Sequence, residues 1–199
     1  MTEINGIKGG KSNLSVCVFC ASSDHLPNMY IEPVRKLGRE MVKRGITLVY
    51  GGGNNGLMGI LSKTIYEGGG YIIGVIPRRL KELGYAFDGA DEMIVTDGMR
   101  ERKAIMEEHA DGFIGLPGGF GTLEEMLEIV TLKQLDMLNK PIVFLNINGF
   151  FDGLLAQFET GYSEHFIDET CRGLYRVTES VKEALDEVQY FFKKNCISQ

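Results

Sequence analysis

Short apolar runs, most of them rich in Val and Ile, recur along the chain and alternate with longer stretches in which apolar residues return every three to four positions. The run Leu14 to Ala21 predicts a strand, and the pattern from Tyr30 to Lys43 predicts a helix. Ile46 to Tyr50 predicts a second strand, which opens directly onto Gly51-Gly52-Gly53-Asn54-Asn55-Gly56. A helix follows with Leu57, Met58, Ile60, Leu61 and Ile65 broadly on one side, ended by Gly68-Gly69-Gly70. Tyr71 to Ile76 is continuous, β-branched and halted by Pro77, the pattern of a strand buried on both faces.

The segment from Pro77 to Gly89 is charged and irregular, and is expected to be a loop or lid. Asp91 to Thr96 predicts an edge-like strand, and Asp97 is expected to cap a helix running to about Ala110. Gly112 to Leu116 is then a strand feeding Pro117-Gly118-Gly119-Phe120-Gly121-Thr122. The helix behind it carries Leu123, Met126, Leu127, Val130, Leu132, Leu135 and Leu138, a stripe wide enough to cover a sheet. Pro141 to Asn146 predicts a strand, Phe150 to Glu164 a helix, Leu174 to Thr178 a last strand, and Ser180 to Phe192 a last helix.

Strands alternating with helices along the whole chain mean βαβ units and a parallel sheet. The expected fold class is therefore α/β: a single Rossmann-like doubly wound domain over residues 14–199, with a parallel sheet of about seven strands, behind a flexible tail at 1–13. Ligands of such sheets bind beyond the carboxyl ends of the strands. Both Gly-rich loops, 51–56 and 117–122, belong to that edge and should share one crevice.

Composition narrows the ligand. A net charge of −6 without a basic stripe argues against a nucleic-acid partner. No apolar run approaches the roughly 20 residues that would span a bilayer, and the start lacks the pattern of a signal peptide, so no membrane association and a cytoplasmic location are expected. Glycine, at 26 residues, is about twice as frequent as usual, and its clustering at 51–53, 68–70 and 118–121 points to special backbone sites. Cys17 and Cys20 spell C-x-x-C, but on a strand positions i and i+3 face opposite ways. Cys171 and Cys196 lack a nearby companion and His25, His109 and His165 are scattered, so neither a metal site nor a cofactor is expected.

Three elements carry candidate chemistry. Gly51 to Gly56 satisfies G-x-G-x-x-G between a strand and a helix, but the acid expected about twenty residues later is missing and Arg78-Arg79 stands there instead. That leaves an NADP site and tight strand-to-helix packing as alternatives. Pro117 to Thr122 combines a proline, three glycines and a hydroxyl at a helix start, suited to an anion on unpaired N–H groups at the positive end of the helix dipole, or to a tight turn. Glu125 stands three residues after Thr122, so it is either the acid of a capping box or a functional carboxylate one helical turn from a bound phosphate. On Met99-Arg100-Glu101-Arg102-Lys103, Arg102 and Lys103 flank the apolar Met99, Met106 and Ala110. A cation there needs an anion or snorkels to solvent.

Taken together, Gly52-Gly53 with Gly56-Leu57-Met58-Gly59, then Arg102-Lys103-Ala104, then Pro117-Gly118-Gly119-Phe120-Gly121-Thr122-Leu123-Glu124-Glu125 resemble the Lonely Guy (LOG) family of cytokinin-activating enzymes. The resemblance runs from about Val16 to the last helix. It implies a homodimeric hydrolase acting on the N-glycosidic bond of cytokinin riboside 5′-monophosphates, and of AMP, giving free base and ribose 5-phosphate. It implies Arg102 and Glu125 as the catalytic pair. It implies Gly52, Gly53, Met99, Lys103, Gly118, Gly119, Phe120, Gly121, Thr122, Leu123, Glu124 and Thr131 as substrate contacts, with Glu82 a candidate for the base pocket. The alternative on the same fold is a non-catalytic carrier of a nucleotide or of the molybdenum cofactor.

Overall fold

The computed structural model describes residues 10–197 of the 199-residue chain. Residues 1–9 of the tail expected at 1–13 lie outside the described residues. Ser12 is tied down, its N–H donating to Thr47 Oγ1 at 3.0 Å.

Seven strands form one sheet: β1 (Ser15–Phe19), β2 (Thr47–Tyr50), β3 (Ile72–Pro77), β4 (Glu92–Thr96), β5 (Gly112–Gly115), β6 (Ile142–Leu145) and β7 (Arg176–Thr178). Their order is β4-β3-β2-β1-β5-β6-β7 and every pairing is parallel. Parallel strands need crossovers, supplied here by α1 (Ile31–Lys43), α2 (Gly56–Glu67), α3 (Arg78–Glu82), α4 (Met99–Glu108), α5 (Phe120–Gln134) and α6 (Asp152–Ser163), with α7 (Val181–Ile197) closing the chain. The strand order reverses beside β1, where β5 takes its other edge. Chains leaving β1 and β5 turn to opposite faces, which opens a crevice between them.

Alternation along each strand builds two cores. Val16, Val18, Leu48, Tyr50 and Ile72 face Val34, Leu37 and Met41 of α1, Leu57, Leu61 and Ile65 of α2, and Ala184, Leu185 and Val188 of α7. Cys17, Val49, Ile73, Val75, Phe113 and Phe144 face Met106 of α4 and Met126 and Ile129 of α5. With both faces covered, β1, β2, β3, β5 and β6 are buried throughout, which explains runs of unbroken hydrophobicity. Cys17 and Cys20 fall in opposite cores, as alternation requires, and burial pushes both thiols well above their ordinary range. No helix among the described residues is long and apolar enough to cross a membrane.

Local expectations fail at three helix starts and one helix end. Asp97 does not cap α4: Gly98 is the N-cap, and Asp97 instead donates its N–H to Glu101 Oε2 at 2.8 Å. Thr122 does not cap α5, whose N-cap is Gly119, three residues earlier. The helix expected from Phe150 begins at Asp152, after a turn in which Asn148 takes φ 52°. The helix expected to carry its apolar stripe as far as Leu138 ends at Gln134, and Leu138 is buried beyond that end. The segment 77–89 is more ordered than a loop. After α3 it runs antiparallel to the Gly-rich loop, with Asn54 N–H to Tyr85 C=O at 2.9 Å and Phe87 N–H to Gly52 C=O at 3.0 Å.

Candidate active site

Both Gly-rich loops open onto the crevice, but their helix starts differ in the groups left free. At α2, the first N–H groups all have partners. Gly56 donates to Asp24 Oδ1 at 2.8 Å, Leu57 and Met58 donate to the Ala21 carbonyl at 2.9 and 3.3 Å, and Gly59 donates to Asn55 at 3.0 Å. This helix start is closed to a dinucleotide phosphate. At α5, the Leu123 N–H donates to Gly119, while the N–H groups of Phe120, Gly121 and Thr122 find no partner among the described residues. Three unpaired donors at the positive end of a 15-residue helix are the kind of arrangement that favours an anion. Gly118 makes it possible: a Cβ there would lie 2.1 Å from Thr122 Oγ1.

One turn into α5 stands Glu125, which is buried and does not cap the helix. Its Oε1 accepts a hydrogen bond from Arg102 Nη1 at 2.6 Å, across from α4. Arg102 is buried too, its Nε donating to the Val75 carbonyl of β3 at 3.0 Å. Gly51 makes room for the guanidinium, because a Cβ there would lie 1.9 Å from Nη2. β2, β3, α4 and α5 thus converge on one ion pair. Burial raises the Glu125 carboxyl above its ordinary pKa, and the Arg102 charge and hydrogen bond oppose that rise. A carboxylate held this way is largely buried, oriented and directed by a fixed cation, the setting in which it can stabilise positive charge or hold a water.

The pair lies on the wall of a cleft of about 660 Å³. Of the residues singled out in the sequence, Gly53, Met99, Arg102, Gly119, Phe120, Gly121, Thr122 and Glu125 line it. Gly52, Gly118 and Leu123 do not line it, and Gly52 adopts φ +70° where its carbonyl receives Phe87. Lys103, Glu124 and Thr131 do not line the cleft. Lys103 ion-pairs with Glu124 and, at 2.9 Å, with Glu128, while Thr131 donates its hydroxyl to Leu127 C=O on the outer side of α5. Glu82 is exposed and off the cleft, whereas Leu80 and Tyr85 from the same segment line it.

Sequence reasoning missed the loop Ser22-Ser23-Asp24-His25, which follows β1 and lines the cleft. The position of that loop at the carboxyl end of the central strand was the available sign. It is drawn in by the bond from Ala21 N–H to Pro117 C=O at 3.2 Å.

Known proteins resemble this chain in sequence and in fold. The family model described as "Possible lysine decarboxylase" matches residues 58–188. Cytokinin riboside 5′-monophosphate phosphoribohydrolase LOG of Oryza sativa subsp. japonica is 41% identical over 176 residues, covering 88% of this chain and 73% of that protein. Cytokinin riboside 5′-monophosphate phosphoribohydrolase LOG3 of Arabidopsis thaliana is 39% identical over 190 residues, covering 95% and 88%. In fold, the molybdenum cofactor binding protein of Rippkaea orientalis superposes with a TM-score of 0.70 at 20% identity, covering 92% of this chain and 99% of that one. That likeness concerns the fold alone. The extent of the family match and the identity to these two plant proteins establish that the chain belongs to the LOG family.

Proposed function

We propose that the chain hydrolyses the N-glycosidic bond of nucleoside 5′-monophosphates, cytokinin riboside monophosphates and AMP among them, releasing the base and ribose 5-phosphate. The observation that carries this reading is one helix start with three free N–H groups and, a turn behind it in the same cleft, a buried carboxylate paired with an arginine. The 5′-phosphate docks on the N–H groups of Phe120, Gly121 and Thr122, which sets C1′ toward Glu125. As the C1′–N9 bond breaks, its electron pair leaves with the purine and positive charge grows on the ribose. Water adds its oxygen to C1′ and its proton ends on the departing base. Glu125 stabilises that charge and orients the water, and Arg102 keeps the carboxylate in place. Gly53, Met99 and the wall formed by Leu80 and Tyr85 receive the base.

The outward stripe of α5 suits a second copy of the chain. Leu127 and, at the C-cap, Leu135 are exposed with Thr131 between them at helical spacing, and exposed Met137 follows just past the helix. Phe120, 93% exposed at the cleft mouth, contributes nothing to this fold on its own and extends the same apolar face. Lys103, Glu124 and Thr131 then act at that interface.

The test is incubation with AMP and with isopentenyladenosine monophosphate, followed by assay of free base and ribose 5-phosphate. Both substrates should turn over, and Arg102→Ala or Glu125→Gln should abolish turnover in a folded protein. Near-normal release of base by Glu125→Gln removes the carboxylate from the chemistry. Tight AMP binding with no ribose 5-phosphate over hours favours the carrier alternative.

A further inference from the structure

We infer that Asp24 is a positioning residue for the phosphate seat: it fastens the loop after β1 to α2, and that loop in turn holds the chain entering α5. The inference rests on the proposed docking of the phosphate at the start of α5. The link to α5 is the backbone of Ala21, whose N–H donates to the Pro117 carbonyl at 3.2 Å. This bond extends the β1–β5 pairing past the rung from Leu116 N–H to Phe19 C=O at 2.9 Å. The Ala21 carbonyl accepts from the Leu57 and Met58 N–H groups at the start of α2, at 2.9 and 3.3 Å. One residue thus joins both Gly-rich loops.

Asp24 closes the loop on α2. Its Oδ1 accepts from the Gly56 N–H at 2.8 Å and its Oδ2 from Asn55 Nδ2 at 2.9 Å. Gly56 lets the loop lie this close: its φ is +59°, and a Cβ there would come to 2.5 Å from the Ser23 carbonyl oxygen and 2.7 Å from that of Ala21. The entry to α5, by contrast, is thinly packed. A Cβ at Gly119 or Gly121 would meet nothing within 4 Å, and Phe120 between them is 93% exposed. The place of these residues therefore depends on the few bonds that fix Pro117, and the Ala21 bond is the one that reaches it from the loop after β1. Without the Asp24 carboxylate the loop loosens at residues 22–25, the Ala21–Pro117 bond weakens, and the free N–H groups of Phe120, Gly121 and Thr122 lose their alignment. The phosphate is held alike in the ground and transition states, so the effect falls on KM and not on kcat. A carboxylate that served only to cap α2 would contribute stability and leave both constants alone.

The experiment is steady-state kinetics with AMP on the full chain, with inorganic phosphate and adenine as inhibitors, in the wild type, Asp24→Ala and Asp24→Asn, each checked for folding by urea unfolding. Asp24→Ala should raise KM for AMP and Ki for inorganic phosphate about five- to tenfold, with kcat and Ki for adenine within about twofold of the wild type. The direction is diagnostic, because deleting a negative charge from the cleft would by itself tighten an anion, so weaker phosphate binding reports the lost tie. Asp24→Asn keeps an oxygen for the Gly56 N–H and should bind phosphate at least as tightly as the wild type. Should Asp24→Ala not fold, Asn55→Ala removes one of the two bonds and should weaken phosphate about twofold with adenine unchanged; no weakening there refutes the inference. An unchanged or lower Ki for phosphate in Asp24→Ala, weakening of adenine by the same factor, or equal weakening by Asp24→Asn also overturns it. If the wild type does not turn over AMP, or inorganic phosphate fails to inhibit it, the phosphate seat at α5 is wrong and the inference falls with it. If the wild type behaves as expected and only Asp24→Ala fails to respond, the inference alone is refuted.

Discussion

Gly51→Ala tests whether the buried ion pair depends on a single missing side chain. Gly51 is outside the left-handed region, so alanine there brings no backbone strain. What it brings is a Cβ 1.9 Å from Arg102 Nη2 and 3.1 Å from Cζ, with the flexible Met58 thioether at 3.2 Å as a minor contact. The guanidinium must leave its seat, breaking the 3.0 Å bond to the Val75 carbonyl and the 2.6 Å bond to Glu125. Hydrogen bonds to charged groups contribute about 1.5–3 kcal/mol each, and separating a buried pair costs about 3–5 kcal/mol. Some of that is recovered if Arg102 reaches solvent and Glu125 takes up a proton, so we expect a loss of about 3 kcal/mol. Urea unfolding is the assay, run on a double-mutant cycle with Arg102→Ala. In the Arg102→Ala background no guanidinium remains to clash with, and Gly51→Ala should be neutral or stabilising by up to about 1 kcal/mol through the unfolded chain. The coupling should therefore be roughly 3 kcal/mol. If Gly51→Ala costs the same in both backgrounds to within about 0.5 kcal/mol, the steric link between Gly51 and the pair is wrong.

Burial raises the Glu125 carboxyl, so the protonated form is favoured in the fold relative to the unfolded chain. Stability from this group is complete below its ordinary value of 4.5 and is lost as pH rises through the raised value, while activity needs the ionised form. The acidic limb of the kcat/KM profile should therefore lie above 4.5, and a limb at or below it contradicts the direction. Gly118→Ala drives a Cβ to 2.1 Å from Thr122 Oγ1 and should raise KM for AMP at least about tenfold by distorting the seat. Gly121→Ala, with nothing within 4 Å of its Cβ, should change KM far less, and equal effects of the two would remove the distinction. Leu135→Glu puts a charge on the exposed stripe of α5 and should shift gel-filtration behaviour from dimer to monomer; a wild type that is already monomeric refutes the second-copy proposal.

Much of the fold was legible because its signals are local. Runs such as Tyr71 to Ile76 are apolar at every position because β3 has a core on each face, and strand–helix alternation leads directly to a parallel sheet. Glu125 shows where local reading stops. Thr122-Leu123-Glu124-Glu125 has the spacing of a capping box, and within that window nothing argues against one. The helix nevertheless begins at Phe120, with Gly119 as its N-cap, and Glu125 finds its partner 23 residues upstream. Lys103 has the opposite history: adjacent to Arg102 in sequence, it projects about 100° away around α4 and meets Glu124 and Glu128 instead of the cleft.

By itself, the sequence determined the elements, the parallel sheet and the two Gly-rich loops at its carboxyl edge, since periodicity and glycine placement act within a few residues of themselves. Only the tertiary structure decided which loop offers an anion free donors. The two helix starts look alike as strings, yet Asp24 and the Ala21 carbonyl, more than thirty residues from α2, occupy the N–H groups of one and leave those of the other open. Whether a donor is free depends on every group that reaches it in space, and chain order does not record that.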